Sequence, residues 1–422
     1  MKRSGLRSKK WKEAVLLVAL LACVGGVVVY FESDSTPDAR ARYSPPQQAS
    51  VIGRLTVFER GESFPGYTLY PMCGNAEVHL LNHEGKSVHV WPVDADRARL
   101  LPNGNLLVVH ASKWGLSTEK WKKLRRFVRE YSWDGKVVWE KQLDGPAHHD
   151  IQRLSNGNTL ALVITSVPMD DPVRSTIQDP FLRTAGIRSD EIQEISPSGE
   201  IMWNWKFHEH VDINSCGAEQ CPDEFRDKVV QGERNYDWSH TNTISVIPEN
   251  HWFEVGDERF RPGNIMVLPR NWSTAMIIDK ASKEIVWRYS GSYRNGLSGG
   301  HEAHMISKGL PGAGNVLILD NGRDRKESYV LEIDPVSQET VWAYDVGEQF
   351  FTRAAGSMQR LPNGNTLISE DLTGRVFEVT PTKKVVWEFT RAYKGEEAMT
   401  RINRAQRYPL GFLGELEADL RG

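Results

Sequence analysis

Between Val51 and Thr390 the chain alternates short β-branched and aliphatic runs with turns rich in Gly, Asn and Lys, the pattern of successive hairpins. Two marks recur. The first is an aliphatic residue or Met followed by Trp late in a run: Val90-Trp91, Val138-Trp139, Met202-Trp203, Val286-Trp287, Val341-Trp342 and Val386-Trp387. The second is an Asn-led turn that opens a strand: NGNLLVV, NGNTLAL, PGNIMVL, AGNVLIL and NGNTLIS, with its last Asn at 105, 158, 264, 315 and 365. Repeats of about 50 residues made of short strands predict a β-propeller. Six Trp marks predict six blades, so the fold expected is all-β, a six-bladed β-propeller over residues 51–390.

Three stretches exceed the repeat. Residues 112–129 are basic, with Trp121, Leu124 and Val128 at helical spacing, and predict a short helix on the rim. Residues 168–190 form the second. The third, 207–237, carries Cys216 and Cys221 and ends just before His240, which suits either a lid or a rigid surface loop. The tail, 391–422, reads as partly helical, packed where the ring closes. The Trp residues are expected to fill space between blades.

Charge changes the picture at the N-terminus. Residues 1–13 carry six basic groups and one acid, which leaves the rest near −8 against a total of −3. That body is a poor nucleic-acid binder. Ala14 to Phe31 is free of charged residues and long enough to span a bilayer as a single transmembrane helix. The basic flank predicts a cytoplasmic N-terminus, an inner-membrane anchor and a periplasmic body, joined by a polar linker at 32–50. A cleaved signal peptide is the rival reading. In an extracytoplasmic body, Cys216 and Cys221 are expected to form a disulfide. A homodimer is left open.

Histidines supply the candidate chemistry. His149 and His301 are each followed by an acid and each lie five residues before an aliphatic strand residue; His240 leads a third such segment. At the start of innermost strands, three imidazoles from three blades would face one axis, with Arg270 nearby. His148 and His304 are neighbours that could take the places of the matched pair. Three imidazoles can bind a transition metal. With a guanidinium they can instead hold a tetrahedral oxyanion while one neutral ring acts as nucleophile. Arg270 favours the second reading, because a cation beside a metal is unfavourable.

The segments HHDIQRLSNGNTL, DWSHTNTISVIP, GNIMVLPRNWSTAMIID and GHEAHMISKG with GNVLILDNG resemble the bacterial arylsulfate sulfotransferases, six-bladed propellers of the periplasm. The resemblance spans roughly residues 100–388. It implies nucleotide-independent transfer of a sulfuryl group from an aryl sulfate to a phenol, with no cofactor and no metal. It places the nucleophilic histidine at His301 and other site residues at His149, His240, Asn242 and Arg270; His148 and His304, as neighbours of the matched pair, are further substrate-binding candidates. The rival classes are a non-catalytic propeller that binds a protein or small ligand, and a metal-dependent propeller hydrolase.

Overall fold

The computed structural model describes residues 52–73, 76–110, 112, 115–216, 219–221, 235–392 and 401–420. The expected transmembrane segment and linker lie outside these residues. Among the described residues no helix is long and apolar enough to cross a membrane.

Six antiparallel sheets form a six-bladed propeller. Blades two to five are continuous in sequence. Their innermost strands are Arg97–Leu100, Ala147–Arg153, Thr241–Val246 and Glu302–Met305, and each blade runs outward to its Trp-marked fourth strand. Blade six starts at Ser357–Arg360 and gains a fifth strand, Ile52–Phe58, paired to the outside of Val385–Ala392. Blade one takes its innermost strand from Gln406–Pro409, paired with Gly66–Met72. The sequence reading ended the propeller at residue 390. The ring in fact extends through Pro409, because blade one has only three strands of its own before residue 92 and needs a fourth to cover its inner edge.

The two sequence marks are the seams between blades. Every marked Trp donates its indole N–H to a carbonyl in the next blade: Trp91 to Ser132, Trp139 to Pro197, Trp203 to Lys280, Trp287 to Pro335 and Trp342 to Pro381. Trp387 closes the circle onto His83 in blade one. A Trp is needed there because it fills the wedge and carries one donor at its end. The Asn of the turn holds a Glu two strands out, as in Asn105–Glu130, Asn158–Glu194, Asn315–Glu332 and Asn365–Glu378. That Glu then reaches a cation of the following blade: Arg153, Lys280, Arg360 and Arg407 respectively.

The insertions follow the same outline. Residues 112–129 contain a short helix, Glu119–Lys122, whose Trp121 is buried with blades one and two. In the third insertion Cys216 and Cys221 are disulfide-bonded. Its far end, Tyr236–Asp237, joins blade three as a short parallel strand beside Ile187–Arg188.

Candidate functional site

The starts of the innermost strands meet at one mouth of the channel, and three imidazoles converge there. The ring of His149 lies 5.2 Å from that of His240 and 6.2 Å from that of His301, centre to centre. His149 and His240 have left-handed backbones, with φ of 56° and 48°. That conformation is costly for a residue with a Cβ and clusters at functional sites. Arg270 directly follows the second strand of blade four, Ile265–Pro269, and its backbone N–H donates to the His240 carbonyl.

Each histidine has a different partner behind it. His240 Nδ1 contacts Asp237 Oδ2 at 2.5 Å, so the third insertion ends by supplying a carboxylate to this ring. Burial alone would push Asp237 up, but Arg188 and the His240 ring bring it well below the usual range. The carboxylate therefore accepts, and His240 carries its proton on Nδ1. Burial, then Arg270, still hold the His240 ring below the ordinary histidine value despite Asp237.

His301 Nδ1 meets Asn321 Oδ1 at 2.7 Å. The Asn321 amide nitrogen donates to the carbonyls of Thr352 and Ala355, at 2.6 and 2.9 Å. Its oxygen is thereby fixed toward the ring and can only accept. His301 must carry its proton on Nδ1 and present a lone pair on Nε2. Burial, reinforced by Arg404 and Arg270, holds the ring well below the ordinary histidine range, so it is neutral at pH 7. Gly300 before it has no room for a side chain: a Cβ would lie 2.9 Å from Leu268 and 3.1 Å from the Leu319 carbonyl.

The neighbours fall elsewhere. His148 sits behind His149, its Nδ1 2.7 Å from His149 Nδ1 and its Nε2 3.2 Å from Asp190 Oδ1. His304 is farther along the strand of His301, in the field of Glu302, Arg99, Arg97 and Asp150 rather than with the three rings. Asn242 is fully buried and donates to the Gly300 carbonyl at 3.1 Å, tying blade four to the backbone ahead of His301.

Sequence reasoning missed Arg404, Asp237, Asp190 and Asn321. Arg404 comes from the segment that leads into the last strand. Its Nη2 donates to the carbonyls of Asn242 and His301 at 2.6 and 3.1 Å. Its backbone is left-handed and its N–H donates to Asp371 at 2.8 Å. Beneath it, Asp150 lies between Arg97, Arg99 and Arg404, with Glu302 on Arg97. Asp237 was legible as the acid three before His240. Arg404 had no such signal, because it lies outside the repeat. Among the described residues no group of three or more His, Cys, Asp or Glu side chains is arranged to hold a metal ion.

A family model described as arylsulfotransferase (ASST) matches residues 126–392. No curated protein matches the chain. Among solved structures, a protein of unknown function from Bacteroides caccae is similar at 13% identity, over 81% of this chain and 98% of that one, with a TM-score of 0.49. A streptogramin B lyase is similar at 10% identity over 84% and 98%, with a TM-score of 0.43. A virginiamycin B lyase from Staphylococcus aureus is similar at 9% identity over 82% and 90%, with a TM-score of 0.40. The family match covers more than half of the chain, including blades three to five and all three converging histidines, and the chain belongs to the arylsulfotransferase (ASST) family.

Proposed function

We propose that this chain moves a sulfuryl group from an aryl sulfate to a phenolic acceptor, without a nucleotide, through a sulfohistidine on His301. The observation that carries this reading is the Asn321 clamp, which holds the proton of a neutral His301 on Nδ1 and so leaves a lone pair on Nε2, in a ring centred 6.2 Å from that of His149. A carboxylate behind the ring would stabilise imidazolium and blunt the nucleophile. A neutral amide fixes the tautomer without doing so.

In the first half-reaction Nε2 attacks sulfur, the sulfur–aryl oxygen bond breaks, and the phenolate leaves. In the second, an acceptor oxygen attacks sulfur and the sulfur–nitrogen bond electrons return to Nε2. Negative charge spreads over the equatorial oxygens, where Arg270 and the His149 ring supply donors, while His240, its proton held by Asp237, presents an Nε2 lone pair. The expected residues 14–31 would hold the body at the outer face of the inner membrane, and the Cys216–Cys221 disulfide supports an oxidising compartment.

Labelled aryl sulfate without acceptor, followed by alkaline peptide mapping, should place label on His301. Label on another residue moves the nucleophile. Full activity of His301→Asn, or loss of wild-type activity with a chelator, rejects the mechanism, the latter in favour of a metal-dependent hydrolase.

A further inference from the structure

We propose that Asp190, His148 and His149 form a proton relay that stores one proton between the two half-reactions, with His149 Nε2 as its outlet to the phenolic oxygen. This rests on the sulfotransferase reading above. His148 Nδ1 and His149 Nδ1 are 2.7 Å apart. Two ring nitrogens at that distance share one proton, so one donates and the other accepts. His148 Nε2 faces Asp190 Oδ1 at 3.2 Å. Asp190 is fully buried, and its other oxygen accepts from Ser239 Oγ at 2.9 Å and Thr241 N–H at 2.6 Å. One carboxylate therefore backs the ring behind His149 and also holds the residues on both sides of His240.

The relay has two states that differ by one proton. Loaded, His148 is an imidazolium: Nε2–H faces Asp190, Nδ1–H donates to His149 Nδ1, and His149 carries its own proton on Nε2. In the first half-reaction the departing phenolate takes that Nε2 proton. The His148 Nδ1 proton crosses to His149 Nδ1, and His148 becomes neutral. In the second half-reaction the acceptor hydroxyl gives its proton to His149 Nε2 as its oxygen attacks sulfur, and the crossing reverses. Over the cycle one phenol gains the proton that another loses, and the protein is unchanged.

The charged and titratable groups facing this pair are Asp96, which accepts from the His149 N–H; Asp190, with Arg188 nearby; His240 with Asp237; His301; and Arg404. Burial would raise Asp190, but the His148 ring, with Arg188 and Thr241, brings it to about 2, so the carboxylate is in place at any working pH. Burial, then His148, push His149 well below the ordinary range, and the relay places the stored proton on His148 because that ring faces the Asp190 carboxylate at 3.2 Å. His149 is the catalytic residue; His148 and Asp190 act through it.

The test uses Asp190→Asn, which keeps an acceptor for Thr241, and His148→Gln, should the first fail to fold. Para-nitrophenyl sulfate is the donor. Two acceptors are compared: a phenol of pKa about 10 and a phenol acidic enough to be ionised at the assay pH. Loss of a proton acceptor should slow transfer to the weakly acidic phenol by about 10²-fold and transfer to the ionised one by less than about threefold. The same variants should lose the far-downfield proton resonance of the paired Nδ1 atoms. Equal loss with both acceptors would make the pair merely structural. Acceptor-selective loss in Asp237→Asn but not in Asp190→Asn would route the proton through His240 instead. A wild type without the resonance also overturns the relay. A wild type that transfers no sulfuryl group overturns the parent reading, and the relay with it.

Discussion

Asn321→Leu isolates the tautomer of His301 from everything that touches substrate. Leucine matches the shape of asparagine but accepts nothing from Nδ1–H and donates nothing to the carbonyls of Thr352 and Ala355. A buried donor left unpaired costs about 1–3 kcal/mol. The Nδ1–H form of His301 loses that much relative to Nε2–H, which has no lone pair to give. At 1.36 kcal/mol per decade, the sulfation step should slow by roughly 10- to 100-fold. Asn321 lies behind the ring, so KM for the donor should hardly move. The Ala355 carbonyl loses its Asn321 donor and the Thr352 carbonyl keeps only Ser328 Oγ at 3.4 Å, so stability should fall as well, by about 1–3 kcal/mol or more. Stopped-flow release of nitrophenolate measures the first step directly, and a thermal melt confirms that the variant is folded at the assay temperature. An unchanged burst rate, or a KM that rises in proportion to the loss of rate, would refute the tautomer argument.

Arg404→Ala should raise KM and lower kcat together, because it frees the Asn242 and His301 carbonyls; Arg404→Lys keeps the charge but not the fork, and steady-state kinetics should show only partial rescue. Asp371 is pushed up to about 6 by burial, so above that pH the fold holds a costly charge. Asp371→Asn should therefore raise stability at pH 8, by on the order of 3 kcal/mol in a denaturant titration, and change little at pH 4. His110 is lowered to about 3 and His83 to about 4, burial being the main cause in each, and burial also holds His149 and His301 well below the ordinary range. The unfolded chain binds more protons than the fold below pH about 6.5, so stability present above that value is lost as pH falls. Melts from pH 7 to 4 in the Asp371→Asn background should show a steady fall, and a flat profile would contradict the neutral buried rings.

The blade count was legible because the seam between blades needs a large residue with one donor at its tip, and Trp meets that need six times. The NGN turns were legible for a similar reason, since their Asn side chains bind a Glu of the same blade. Convergence of His149, His240 and His301 could be read from their register with the strands. Their tautomers could not, because Asn321 follows the second strand of blade five and Asp190 lies within the third strand of blade three, at separations without period. The source of blade one's inner strand was hidden too. Gln406–Pro409 follows a segment with no Trp mark, and its pairing with Gly66–Met72 is set by an edge that must be covered, not by a pattern in either segment.

That pairing has a cost in time. The bond between Arg407 and Thr68 spans 339 residues. At 5–20 residues per second, the ribosome needs roughly 20–70 s to travel from one to the other. Throughout that interval Gly66–Met72 has its outer neighbour but no inner one, and its open edge is a template for any passing strand. The three histidines have all been synthesised before Arg404 exists to clamp the backbone carbonyls of His301 and Asn242. Assembly of the candidate site is thus tied to the last joint of the ring, and a nascent chain that lingers short of it must be shielded from its neighbours.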